Sequence, residues 1–215
     1  MNKKILSIFP VVTLEAVIND QEEINKKLLT EIDTLFTDDV DKRVLSYKWN
    51  DHIITKDKHQ LGYTSFNSNN IAYESNFKFF FDHISELITD YFDQLRFFDE
   101  WHYVNSWISV YPKGAYVPLH DHKPMQWSGV YYVKAHTNCG DILFTDPKEY
   151  ALQNEPLDTM HRGNHRHRVS PQPGMLLLFP GYLKHETFPN ETDEERIIIS
   201  FNVNTGPKGS IVWHP

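Results

Sequence analysis

The sequence predicts an α+β fold, an antiparallel sandwich or barrel with helices packed on its outside. Two observations carry this expectation. Helical periodicity is confined to roughly the first hundred residues, and beyond them short apolar runs alternate with Gly, Pro and Asn punctuation. Composition adds a third: 14 Phe, 11 Tyr and 5 Trp in 215 residues supply enough bulk for a sizeable core, so the chain reads as globular rather than disordered. The length fits one domain over 1–215, with a helical support region at 1–100 and a β core at 101–215.

The first helix is predicted over "DQEEINKKLLTEIDTLF", 20–36. Asp20 and Glu23 form a capping box, and Ile24, Leu28, Ile32 and Leu35 recur at helical spacing. The second is predicted over 75–95, capped by Ser75, with Phe77, Phe81, Ile84, Ile88, Tyr91 and Leu95 as its apolar stripe. The segment between them is polar and turn-rich, with room for one short strand. The strands that follow are "WHYVNSWISVY", "WSGVYYVKA", "GDILFTDP", "GMLLLFPGYLKHETF" and "RIIISFNVN", all rich in Val, Ile, Tyr and Phe.

Charge and targeting signals narrow the function classes. A net charge of -8 argues against non-specific nucleic-acid binding, which leans on a basic surface. Cys139 is the single cysteine, which excludes an intrachain disulfide and a thiolate zinc cluster. The N-terminal apolar run is broken by Pro10 and Glu15 and has no small-residue cleavage site. No stretch approaches the ~20 apolar residues of a membrane span. The expectation is a soluble, cytoplasmic protein.

The chemistry is carried by histidine. His120 and His122, in "YVPLHDHKPMQWSGVYYV", would share one face of a strand and could grip one ion. With 12 His in the chain a His-x-His pair is weak on its own, and His165 and His167 form a second one. The deciding partners lie further on. His185 follows the strand at 175–179, and Arg196 opens another strand 11 residues later. Alternation puts Arg196, Ile198, Ser200 and Asn202 on one face and Ile197, Ile199, Phe201 and Val203 on the other. The mixed face suits a polar ligand cavity; a solvated edge strand is the alternative.

Taken in order, "WISVYPKGAYVPLHDH", "SGVYYV", "GDILFTDP", "PQPGMLLLFP", "LKHETFPN" and "ERIIISFN" resemble the iron(II)- and 2-oxoglutarate-dependent oxygenases. More narrowly they are similar to the small 2OG-Fe(II) oxygenase family of bacteria and phages, with a prolyl-hydroxylase-like stamp. The likeness is tight over 107–204 and loose over the helical half.

The resemblance implies a double-stranded β-helix (jelly-roll, cupin-like) with iron(II) at one open end. It assigns His120 and His185 as outer metal ligands and puts His122 where most of the superfamily has a carboxylate. Three neutral imidazoles would leave the site one unit more positive. Asp121 could replace His122 only if strand alternation broke there, and Asp141 and Asp146 are more remote. Arg196 is assigned to the far carboxylate of 2-oxoglutarate, because its fork binds a carboxylate bidentately and keeps its charge. Ser200, on the same face, and Tyr132, the second tyrosine of "SGVYYV", join it. The implied reaction uses dioxygen to hydroxylate a C–H bond, with release of succinate and carbon dioxide.

The substrate is not written in these motifs. Prolyl-hydroxylase likeness favours a protein or peptide side chain over a small molecule, by analogy alone. Loop 146–174, with Arg162, Arg166 and Arg168, is a candidate lid or acidic-substrate cradle, or a solvated loop; the segment 50–70 is another candidate. Trp101, Trp107, Tyr111 and Trp127 are candidate pocket aromatics, with an ordinary core role as the commoner alternative. Two rival readings stand: a three-histidine cupin-type dioxygenase that does not use 2-oxoglutarate, and a non-catalytic metal-binding jelly-roll module.

Overall fold

The structure is a computed structural model that describes residues 10–37, 63–66, 70–96, 100–148 and 166–209. Strand β1 (Leu14–Val17) leads into helix α1 (Gln21–Thr37). The short strand β2 (Tyr63–Thr64) and a single 3-10 turn (Ile71–Tyr73) precede helix α2 (Lys78–Leu95). Seven strands follow: β3 (Glu100–Tyr111), β4 (Trp127–Lys134), β5 (Ile142–Thr145), β6 (Arg166–Val169), β7 (Met175–Pro180), β8 (His185–Thr187) and β9 (Arg196–Gly206). The described strands pair antiparallel and form two sheets, one ordered β1-β7-β4-β9-β3-β2 and a smaller one ordered β6-β5-β8. The architecture is the expected double-stranded β-helix with helices on its outside.

Two cores explain why the sheets curl as they do. Ile197, Ile199, Phe201 and Val203 face outward from β9 into a cluster with Leu28 and Ile32 of α1 and Phe80, Phe81, Ile84 and Ile88 of α2. The opposite face carries Ile198 into a second cluster that joins Tyr132, Leu177 and Phe179 of the large sheet to Ile142, Phe144 and Val169 of the small one. Alternation along β9 therefore reads as predicted, and β9 lies between β4 and β3 rather than at an edge. Tyr131 and Tyr132 part in the same way. Tyr131 faces the helices, where its hydroxyl donates to Asn25 Oδ1 at 2.7 Å, while Tyr132 points between the sheets.

Gly129 in "SGVYYV" has a packing reason: a Cβ there would collide with the Phe201 ring of the neighbouring strand. The helices depart from the sequence reading at their edges. Ser75 does not cap α2; the N-cap is Phe77, with no side-chain bond, and the Ser75 hydroxyl turns to Asn76. Phe80 and Phe92 are buried alongside the predicted stripe, because α2 packs against β3, β4 and β9 across a wide arc. Much of loop 146–174, including Arg162 and His165, lies outside the described residues, as does most of 50–70. The end of the former is not loop but β6, paired with β5. No described helix is long and apolar enough to cross a membrane.

Candidate metal centre

Among the described residues one group of three could hold a metal ion: His120, His122 and His185, each offering a ring nitrogen within 4.8 Å of the others. The ring centroids of His120 and His185 lie 4.2 Å apart, and the His122 ring stacks on that of His185 with a 7° interplanar angle. The local structure differs from the predicted strand. His120 sits on an isolated bridge to His185, and His122 lies in the loop that follows, so no continuous strand aligns the pair. Backbone bonds do the aligning instead: His120 N–H donates to His185 O, His185 N–H to His120 O, and His122 N–H to Gly181 O.

Two rings are oriented by the chain itself. Nδ1 of His120 lies 2.8 Å from Pro118 O, and Nδ1 of His185 lies 2.9 Å from Leu183 O. A carbonyl can only accept, so each Nδ1 carries the proton and each Nε2 keeps a lone pair for a ligand. Burial holds all three rings neutral. Desolvation lowers His120, takes His122 down to about 4 with help from the neighbouring His120, and pushes His185 well below the usual imidazole value. Neutral imidazole is the form that binds metal.

Among the described residues no carboxylate joins the group. Asp121 turns back on its own loop, where it accepts from Lys123 N–H and pairs with Lys123 Nζ at 3.3 Å. Asp141 pairs with Arg168, and Asp146 accepts from Lys148 N–H.

The interior face of the large sheet is ordered in cross-strand rungs, with Trp107 beside His122. Register places Asn105, Asn202 and Ser128 together, then Trp107, Ser200 and Val130, then Ser109, Ile198 and Tyr132, and finally Tyr111 with Arg196. Arg196 is 1% exposed. Its Nη1 donates to Cys139 O and Gly140 O, both at 2.7 Å, its Nη2 donates to Thr187 Oγ1 at 3.2 Å, and its guanidinium lies 4.6 Å over the Tyr111 ring. Among the described residues no carboxylate lies within ion-pair distance of it. A buried cation without a counter-charge is costly to keep, and this one faces the space between the sheets. Thr187 is one same-face step along β8 from His185, so the guanidinium and the imidazoles share one side of that strand.

Tyr132 also faces this space, with its hydroxyl raised above the ordinary phenol value by burial. Ser200 shares the interior face of β9 with Arg196, in the rung of Trp107. The pocket aromatics divide. Trp107 and Tyr111 face inward, and the Trp107 ring lies 6.2 Å from that of His122. Trp127 and Trp101 instead pack on Phe92 of α2 and do not reach the site. A separate open cleft of about 600 Å³, lined by Gly140, Asp141, Arg168 and Phe188, contains none of the three histidines.

Comparisons with known proteins bear on the family and the fold. Residues 105–202 match the family described as "Putative 2OG-Fe(II) oxygenase". A prolyl-4-hydroxylase from Pseudomonas putida has a similar structure, at 13% identity and a TM-score of 0.57, over 91% of this chain and 94% of that one. A Trichoplax adhaerens prolyl hydroxylase, solved with a hypoxia inducible factor peptide fragment, matches at 16% identity and 0.59 over 89% and 83%. HygX from Streptomyces hygroscopicus, solved with nickel and 2-oxoglutarate, matches at 14% and 0.59 over 95% and 86%. No curated protein matches the sequence.

Proposed function

We propose that this chain, whose residues 105–202 match the 2OG-Fe(II) oxygenase family, is an iron(II)- and 2-oxoglutarate-dependent oxygenase that hydroxylates a C–H bond. The observation that carries the reading is the pairing of three clustered imidazoles with a buried guanidinium that meets no carboxylate among the described residues, inside one jelly roll. Either alone has ordinary explanations. Together they match the two ends of a metal-chelating dicarboxylate.

In this reading His120, His122 and His185 hold the iron, and Arg196 receives the far carboxylate through the donors that Cys139 O, Gly140 O and Thr187 leave free. Tyr132 and Ser200 line the co-substrate between those ends. The donor set suits the metal, since imidazole binds first-row ions well and three ligands on one face leave positions open for co-substrate and dioxygen. When bound, iron(II) and 2-oxoglutarate supply the oxidation, which yields succinate and carbon dioxide with the hydroxylated product. The chain contributes orientation and exclusion of water: Phe144 and Phe179 pack on His185, Trp107 lies beside His122, and the backbone fixes the lone pairs of two ligands.

The testing experiment is anaerobic addition of iron(II) and then 2-oxoglutarate, followed by air. A visible charge-transfer band, then succinate that requires both iron and dioxygen, is the expected result. Iron binding with no effect of 2-oxoglutarate would sink it. That outcome would favour the three-histidine, cupin-type reading, which the absence of a carboxylate from the triad recommends and the acid-free Arg196 opposes. Binding without any oxidation would leave a metal-binding jelly-roll module. The substrate class in this reading is a protein or peptide side chain, and the Trichoplax likeness is the analogy behind it.

A further inference from the structure

The rung of Asn105, Asn202 and Ser128 has no part in holding iron or the far carboxylate, yet it carries two amides and a hydroxyl. We propose that it anchors the substrate, with Asn105 Nδ2 donating to a backbone carbonyl of a bound peptide while an apolar side chain lies along Trp107. The proposal rests on the oxygenase reading above and deepens it.

The rung is a closed relay with one free end. Ser128 and Asn202 are 1% and 3% exposed. The Ser128 hydroxyl donates to Asn202 Oδ1 at 2.5 Å, and Asn202 Nδ2 donates to Asn105 Oδ1 at 2.7 Å. Each buried polar atom thereby fixes the next, as burial demands. Asn105 is the partly exposed member, and among the described residues no acceptor takes its Nδ2 hydrogens. A purely structural rung would be better filled by apolar residues, since burying two amides and a hydroxyl gains little and risks much.

Its position selects substrate over co-substrate. Asn202 lies six residues along β9 from Arg196, roughly 20 Å at ~3.3 Å per residue, so the relay stands well away from the guanidinium on the same face. The next residue inward on its strand is Trp107, beside His122. Phe66 stands edge-on to Trp107 at 4.9 Å and is 52% exposed, so an aromatic floor runs from the surface to the imidazoles through Trp107, the same-face neighbour of Asn105 on β3.

Chemistry selects the ligand class. The rung offers neutral amide donors and no cation, which suits a neutral carbonyl; carboxylate or phosphate recognition would call for Arg or Lys. The aromatic floor suits an apolar side chain or ring. A peptide backbone offers both at adjacent atoms.

The test uses the full chain with iron(II), 2-oxoglutarate, air and a degenerate library of short acetylated peptide amides, read by mass spectrometry for added oxygen. Asn105→Asp keeps the acceptor that Asn202 needs and removes the free donors; Asn105→Ala is the second variant. Expected are oxidised peptides from the native chain, a loss of about tenfold or more in both variants, and 2-oxoglutarate affinity within about twofold by calorimetry. Equal oxidation by native chain and variants overturns the proposal. So does a parallel loss of 2-oxoglutarate affinity in Asn105→Ala, which would assign Asn105 to the co-substrate. Succinate formation with no peptide oxidised overturns the peptide class and leaves the oxygenase reading standing. Failure of the native chain to bind 2-oxoglutarate removes both.

Discussion

His120 and His185, 65 positions apart in the chain, hold each other through paired backbone bonds of 3.0 and 2.9 Å, with their rings 4.2 Å apart. The bridge belongs to the main chain, so it does not depend on either imidazole. Fold and metal affinity can therefore be separated by mutation.

His185→Ala is expected to keep the bridge and lose the metal. Cobalt(II) or iron(II) affinity should fall at least about a hundredfold, more than the loss usual for outer partners of a metal ligand. The melting temperature of the metal-free protein should change little or rise, because a desolvated imidazole is removed. A calorimetric metal titration beside a thermal melt checks it, and native-like affinity would break the assignment. His122→Asp is the informative companion: it restores the carboxylate of the commoner triad and should retain metal.

How much of this was legible in the sequence follows from which signals have a period. Along β9 eleven residues alternate without a break, so the faces of Arg196 and Ile197 could be read directly. Tyr131 and Tyr132 separate for the same reason. His120 sits on a one-residue bridge, which has no period; the strand expected there begins only at Trp127. The pair still converged, through bonds from His122 to Gly181 and from His120 to His185 that no local pattern announces. β6 was hidden because only Val169 of Arg166–Val169 is buried. Trp101 and Trp127 could be read either as pocket or as core, because both faces of the large sheet are covered and aromatic character cannot tell inside from outside. The Asn105–Asn202–Ser128 relay needs the register of three strands and was out of reach.

Arg196→Met should separate ligand binding from stability. The substitution forfeits bonds to Cys139 O, Gly140 O and Thr187, worth about 1–3 kcal/mol where an acceptor is left unpaired. It also removes a buried, uncompensated charge, whose effective penalty is several kcal/mol. The two largely offset, so the melting temperature without ligand should move by only a few degrees. The rise in melting temperature on adding 2-oxoglutarate to the metal-loaded protein should vanish, because a charge-assisted pair worth about 1.5–3 kcal/mol is lost. An undiminished rise would make Arg196 structural.

Gly140→Ala should act on the same guanidinium from behind. Gly140 has φ +97°, a left-handed conformation that costs a side chain dearly, and a Cβ there would strike Phe188 O and Arg196 Nη1. Destabilisation of about 1–3 kcal/mol is expected from the strained backbone. A weaker grip on 2-oxoglutarate is expected as the fork is displaced. Urea melts and a 2-oxoglutarate titration check the two effects separately, and a drop in stability alone would show that Arg196 tolerates the shift.

Acid should weaken the metal-free protein through its imidazoles. In the fold His122 is held at about 4 and His120 and His185 are also lowered, while in the unfolded chain each returns to about 6.5. Between those values the unfolded state binds more protons than the native one, so stability rises with pH. It is complete above about pH 6.5 and is lost as pH falls toward 4, by about 3 kcal/mol for His122 alone. Melting temperatures of the metal-free protein across this window should therefore slope upward, and His122→Asn should flatten the slope. Bound metal should deepen the same dependence, since protons and the ion compete for the same lone pairs. A native chain and His122→Asn variant with identical slopes would show that the imidazole at 122 is not held neutral by its surroundings, and would remove the electrostatic basis for counting it among the ligands.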